Sequence, residues 1–195
     1  MMRTLTEGWR VPAVVLAVAA LSSCSDTLNF DFPRPDSPLE ATLYDLVAGP
    51  VDRASAFNVV GGYGSGVPGT VRVDQLPNWD VAFAIRNGAP VWLPRGYFEG
   101  FTESGGILRV DRGFQEVTEA PSDATLYDET EPLPVEDGGV YVIRSRPDES
   151  QSLPCRLFAK LEVQSIGGDP VRVRFRYLWN PNCGNRDLTP GEENP

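Results

Sequence analysis

Few side chains in this chain could carry catalytic or metal chemistry, and an absence limits them further. Among 195 residues there is no histidine, and both methionines are Met1 and Met2. Imidazole is the usual general base near neutral pH and the commonest metal ligand, so Ser-His-Asp machinery, Cys-His machinery and histidine-ligated haem are excluded. The three cysteines are Cys24, Cys155 and Cys183. Sulfur without imidazole or a fourth ligand makes a poor metal site. Carboxylates gather at Asp128, Glu129, Glu131, Glu136 and Asp137 around Pro132 and Pro134. They lack the Asp-x-Asp-x-Asp-Gly spacing of a calcium loop, and nothing nominates a glycosidase-type acid pair among them. Gly61-Gly62-Tyr63-Gly64-Ser65-Gly66 is glycine-rich, yet no P-loop Lys-Ser/Thr follows it. It reads as a surface loop. Arg172, Arg174 and Arg176 form a period-2 basic stripe with Lys160 on the facing segment. Alternation of this kind is ordinary for a solvated sheet face, so pairing with Glu162 is the expectation rather than an anion site. No catalytic residue, metal ligand or cofactor is nominated, and the chain is read as not an enzyme; the catalytic alternative is a carboxylate-based hydrolase whose acid pair need not be close in sequence.

The cysteines carry most of the remaining chemical information. Arg3 and Arg10 flank the apolar run Val11 to Leu21, which Pro12 alone interrupts. Eleven residues are too few to cross a bilayer core of about 30 Å, so residues 1–23 read as an export signal. The run ends in Leu21-Ser22-Ser23-Cys24, which resembles the bacterial lipobox, in which the cysteine is lipidated and becomes the first mature residue. The expected partner is therefore a membrane, reached through lipid on Cys24. Bacterial lipoproteins carry more than one acyl chain, enough for stable anchoring. Ser25 favours the outer membrane under the enteric sorting rule. Cys155 and Cys183 then remain as an even pair in an oxidising compartment, which reads as a disulfide.

The elements that must position these groups are strands. With 17 Lys plus Arg against 27 Asp plus Glu, the net charge is −10, which argues against a nucleic-acid surface. Residues 24–40 are proline-rich and acidic and read as the lipidated N-terminus and a flexible tether. Residues 184–195 are polar and read as a disordered tail. Residues 41–183 between them suffice for one domain. Short alternating apolar runs with Gly, Pro, Asn or Asp every ten residues or so predict an all-β domain, an antiparallel sandwich or barrel of about 8–10 short strands. These strands are shorter than the 9–11 residues that a membrane barrel needs.

Two hairpins are specific. Asn87-Gly88 predicts a two-residue turn that sets Phe83 opposite Trp92. Residues 156–165 and 171–179 alternate so that Val163 is expected opposite Val173, Leu161 opposite Phe175 and Glu162 opposite Arg174. That register leaves Cys155 and Cys183 at the open end, displaced by about one pair. Further strands are expected near residues 41–46, 56–60, 70–74, 107–111 and 139–144, with a helical turn within 112–119. The long loops, 61–69 and 94–106, carry Tyr63, Tyr97, Phe98 and Phe101.

Trp79-Asp80-Val81-Ala82-Phe83 is similar to the Trp-Asp strand of HmuY-like haemophore lipoproteins. Val140-Tyr141-Val142-Ile143-Arg144 resembles a later strand of that family. Phe158-Ala159-Lys160-Leu161-Glu162-Val163 and Val173-Arg174-Phe175-Arg176-Tyr177 resemble its closing hairpin. The resemblance implies an all-β domain on a lipid anchor and, in the founding members, haem capture. Family haem ligands are histidines, or methionines in some branches, and none can be carried over. A loop tyrosine such as Tyr63 or Tyr97 is more ordinarily an amphipathic surface or core residue than an iron ligand. The expected function is a lipid-anchored envelope binding or accessory protein that presents Tyr97, Phe98 and Phe101 to a small molecule or protein. The alternative is a structural envelope lipoprotein that packs against its neighbours.

Overall fold

A computed structural model describes residues 31–62, 66–75, 77–101, 103–147 and 155–192. Residues 1–30, including the expected export signal, Cys24 and the first part of the expected tether, lie outside the described residues, as does Tyr63. The ten strands are β1 (Leu39–Tyr44), β2 (Ala56–Asn58), β3 (Gly69–Val71), β4 (Val81–Arg86), β5 (Ala89–Pro94), β6 (Gly106–Val110), β7 (Leu133–Pro134), β8 (Val140–Arg144), β9 (Phe158–Gly167) and β10 (Arg172–Asn180). They form two antiparallel five-stranded sheets, ordered β1-β10-β9-β8-β6 and β3-β2-β4-β5-β7. The architecture is a sandwich, not a closed barrel. The expected helical turn is a single 3-10 turn at Phe114–Glu116.

Inward residues of both sheets meet in one core. Trp92 sits at its centre with edge-to-face contacts to Phe83, Tyr141 and Phe175, ring centroids 6.0, 6.1 and 5.8 Å away. Such rings contribute both buried area and directional contact. The outward faces are covered as well. Phe114, Val117, Tyr127 and Leu188 lie over Val140, Val142, Phe158 and Leu178 of the first sheet. Trp79, with Tyr97, Phe98 and Phe101 against it, covers Ala82, Ala84 and Leu93 of the second. Strands β4, β5, β8, β9 and β10 therefore have long stretches buried on both faces.

The Asn87-Gly88 turn forms as expected, both residues at positive φ (52° and 79°), and Phe83 faces Trp92. The closing hairpin differs in register. Val163 lies opposite Phe175, Leu161 opposite Tyr177 and Glu162 opposite Arg176, with a bulge at Arg174/Phe175. Strand β9 runs on to Gly167, paired with Arg172, so the turn lies later in the chain than the pattern suggested. A two-residue slip preserves the period of two, so the apolar faces still match and alternation cannot distinguish the two registers. The shift also places Cys155 and Cys183 directly opposite each other. They are disulfide-bonded with Cα atoms 5.3 Å apart, within the range a disulfide spans.

Both ends of the domain extend further than expected. Residues 184–192 are not a disordered tail. Leu188 is buried, its N–H donates to the Thr118 carbonyl, and Asp187 bridges Glu119. Strand β1 begins at Leu39, and the segment before it lies along this same C-terminal stretch. The Phe32 N–H donates to Asn182 Oδ1 at 2.6 Å, and Asn182 Nδ2 donates back to the Phe32 carbonyl at 2.9 Å. Arg34 pairs with Asp187, and the Gly191 N–H donates to the Pro35 carbonyl. Polar composition suggested disorder at both ends, but here polar groups satisfy one another across the two termini.

Burial of tyrosines gives the fold an alkaline limit. Burial pushes the Tyr127 phenol up to about 12, against the opposing pull of the Arg144 and Arg186 charges. It also raises Tyr141 and Tyr177. An unfolded tyrosine titrates near pH 10. The folded pKa lies above the unfolded one, so this stabilisation is complete below pH 10 and lost as pH rises through about 12. Urea midpoints measured from pH 9 to 12 should fall with pH, and Tyr127→Phe should make that fall shallower. An unchanged slope would contradict the assignment.

Candidate functional site

Loops gather at one end of the sandwich, and Asp80 ties them together. Asp80 is fully buried just before β4. Its Oδ2 accepts from the Val59 N–H at 2.6 Å and its Oδ1 from the Arg146 N–H at 2.8 Å. The Arg146 guanidinium, also buried, lies 3.2 Å from Oδ1 and donates to Asn58 Oδ1 at 3.1 Å. The Asp80 backbone accepts from the Arg95 N–H and donates to the Phe57 carbonyl. One residue thus connects the segments after β2, β5 and β8. Arg156 adds a second tie by donating to the Ser104 and Ser145 carbonyls. Burial and the neighbouring Arg144 charge lower the Arg156 pKa. The disulfide and the Phe32–Asn182 pair lie at this same end.

The aromatic loop does not stand out into solvent. Phe98 and Phe101 meet Trp79 edge-on, centroids 5.3 and 5.8 Å away, and Tyr97 meets Phe98 edge-on at 5.3 Å. The Arg86 guanidinium donates to the Tyr97 hydroxyl, and Arg95 lies 4.3 Å over the Phe101 ring. All three rings are half-buried. The motive for this is visible in β4: Ala82 and Ala84 leave a shallow outer face that large rings can fill.

Two arginines of the basic stripe make structural contacts. Arg176 donates to Glu162 at 2.5 Å and lies 4.6 Å over the Phe114 ring, while Arg174 pairs with Glu40 at 3.3 Å. Lys160, expected beside the stripe, is buried under the 114–117 turn. Its Nζ donates to the Phe114 and Val117 carbonyls, both at 2.9 Å, with the Phe114 ring 4.5 Å away. Burial, with the Arg176 charge, lowers its pKa, and Asp187 partly offsets this. In the acidic segment, Glu129 pairs with Arg144 and Glu136 with Arg109. Among the described residues, no group of three or more Cys, Asp or Glu is placed to hold a metal ion.

Open grooves on the described surface include one polar and one mainly apolar one of note. A mainly apolar one of about 430 Å³ lies where the N-terminal segment meets the domain, between Phe32, Pro35, Val67, Trp179 and Pro181. A polar one of about 650 Å³ runs along β1, between Thr42 and Tyr44 on one side and Arg53, Gly69 and Thr70 on the other. Sequence patterning singled out neither groove, because each is built by residues distant in the chain. No family model, curated protein or solved structure matches this chain.

Proposed function

We propose that the protein is a lipid-anchored cell-envelope binding or accessory module, held by Cys24 at the outer membrane, that engages a ligand without histidine or methionine chemistry. The reading rests on the lipobox-like Leu21-Ser22-Ser23-Cys24 followed by a disulfide-clasped β-sandwich whose N-terminal segment is itself bonded to the domain. Because Phe32 is tied to Asn182, only residues 25–31 link the acylated cysteine to the domain. Seven residues reach about 25 Å at full extension. The domain therefore sits close against the bilayer with its loop end turned toward it, rather than on a long tether. Rigid strands carrying loops of this kind are the usual frame for recognition.

The structural alternative, a domain that only packs against envelope neighbours, draws support from the aromatic loop, whose rings are turned onto Trp79. In the native host, Cys24→Ser should move the protein from the membrane to the soluble envelope fraction. Retention of the variant in the membrane would overturn the anchor.

A further inference from the structure

The two sheets expose four edges, and three of them are short or capped. Strand β3 has three residues and β7 two, while the β6 edge is bridged at Ile107 by the Asp128 backbone. Strand β1 is different. The Asp45 N–H donates to the Val171 carbonyl, so the odd-numbered residues of β1 point their backbone groups at β10. The even-numbered ones point outward. Tyr44 uses its outward N–H on the Ala54 carbonyl. The N–H and C=O groups of Glu40 and Thr42 have no partner among the described residues, and the polar groove opens directly beside them.

We propose that this groove receives an extended polypeptide segment that adds as a strand antiparallel to β1, bonded to the backbones of Glu40 and Thr42. Addition of a strand to an open sheet edge draws affinity from main-chain hydrogen bonds and selectivity from alternate side chains. The residue opposite Ala41 would face into the groove, toward Gly69 and Tyr177, where a small or β-branched side chain fits. Its two neighbours would lie on the outer face beside Thr42, Arg174 and Glu40. The groove lining carries Glu40 and Asp52 against Arg53 and Arg174, so it is locally balanced, while the chain as a whole is at −10. Basic flanking residues on the segment would be drawn toward it.

A second copy of this chain fits less well. The open window is three residues long, closed at Tyr44 by Ala54 and preceded by Pro38. Stable dimers bury roughly 1,200–2,000 Å², more than such a window contributes. This inference rests on the binding reading and supplies it with a partner class.

The test uses the full mature protein and the acetylated, amidated peptide Lys-Thr-Val-Thr-Lys, read by amide chemical shifts and hydrogen exchange. The expected result is saturable binding with slowed exchange at Glu40 and Thr42. The same peptide N-methylated at both threonines should bind weaker by about tenfold or more. Thr70 is exposed, lines the groove and shares the inner face of its partner Phe57, so Thr70→Trp should fill the groove, abolish binding and leave Tm unchanged. No binding, or equal binding of the N-methylated peptide, would overturn the proposal. So would concentration-dependent dimerisation that protects Glu40 and Thr42 without peptide, which would assign the edge to a second copy. A molecule co-purifying elsewhere on the domain would preserve the general binding reading while this one fails.

Discussion

Asp80→Ala should destabilise the domain by about 3–5 kcal/mol, the range for removing one partner of a buried ion pair. The variant leaves the Arg146 guanidinium buried without its carboxylate, and it orphans the N–H groups of Val59 and Arg146. Each of these losses carries its own desolvation penalty. Against a total stability of 5–15 kcal/mol for a typical domain, this single change removes a large share. Chemical denaturation of the variant measures it directly. The double variant Asp80→Ala/Arg146→Ala should cost less than the sum of the two single changes, because it also removes the stranded charge. Additive losses would mean that the two side chains do not act as a pair.

The second large effect belongs to the disulfide. Cys155 and Cys183 are 28 positions apart, and closing a loop of this size stabilises by about 3–4 kcal/mol in the chain-entropy model. Cys183→Ala is the cleaner probe, because Cys183 is exposed whereas Cys155 is buried in the core beside Leu157. The expected result is a lower urea midpoint that matches the wild type treated with reductant. Cys155→Ala should fall further, since it adds a small core void to the lost cross-link. Identical midpoints for oxidised wild type and Cys183→Ala would show that the clasp contributes nothing.

How much of this was legible beforehand depends on the range of the interaction concerned. Strand positions and their faces were readable because alternation is local: Val81, Phe83 and Ile85 share one side, as do Leu157, Ala159, Leu161 and Val163. Asn87-Gly88 marked its turn through backbone geometry alone. The closing register differs by two from the expected one because any even slip keeps the same faces, and only the position of the turn decides among them. Strand β7 escaped notice because two residues, one of them proline, leave no periodic trace.

Lys160 departs from the expected exposed face for a related reason. Its outward parity is correct, but the 114–117 turn closes over that face and supplies two carbonyls to its ammonium. Nothing local in β9 announces a cover that lies more than 40 positions earlier in the chain. The aromatic loop shows the same limit. Tyr97, Phe98 and Phe101 looked like presented rings until Trp79 and the small outer side chains Ala82 and Ala84 offered them a seat. The polar groove beside β1 is the extreme case, since its walls combine β1 with Arg53, Thr70 and Arg174 from three separate stretches of chain and its hydrogen-bonding groups are backbone. Main-chain groups carry no sequence signal at all.

The proposed Cys24 anchor and the proposed binding role meet in one observable. Native mass spectrometry of the protein extracted gently from the membranes of its own host should find a chain that starts at Cys24, carries acyl groups and retains a polypeptide partner. A chain that keeps residues 1–23, or one that begins at Cys24 without acyl groups and without any bound molecule, would contradict the account.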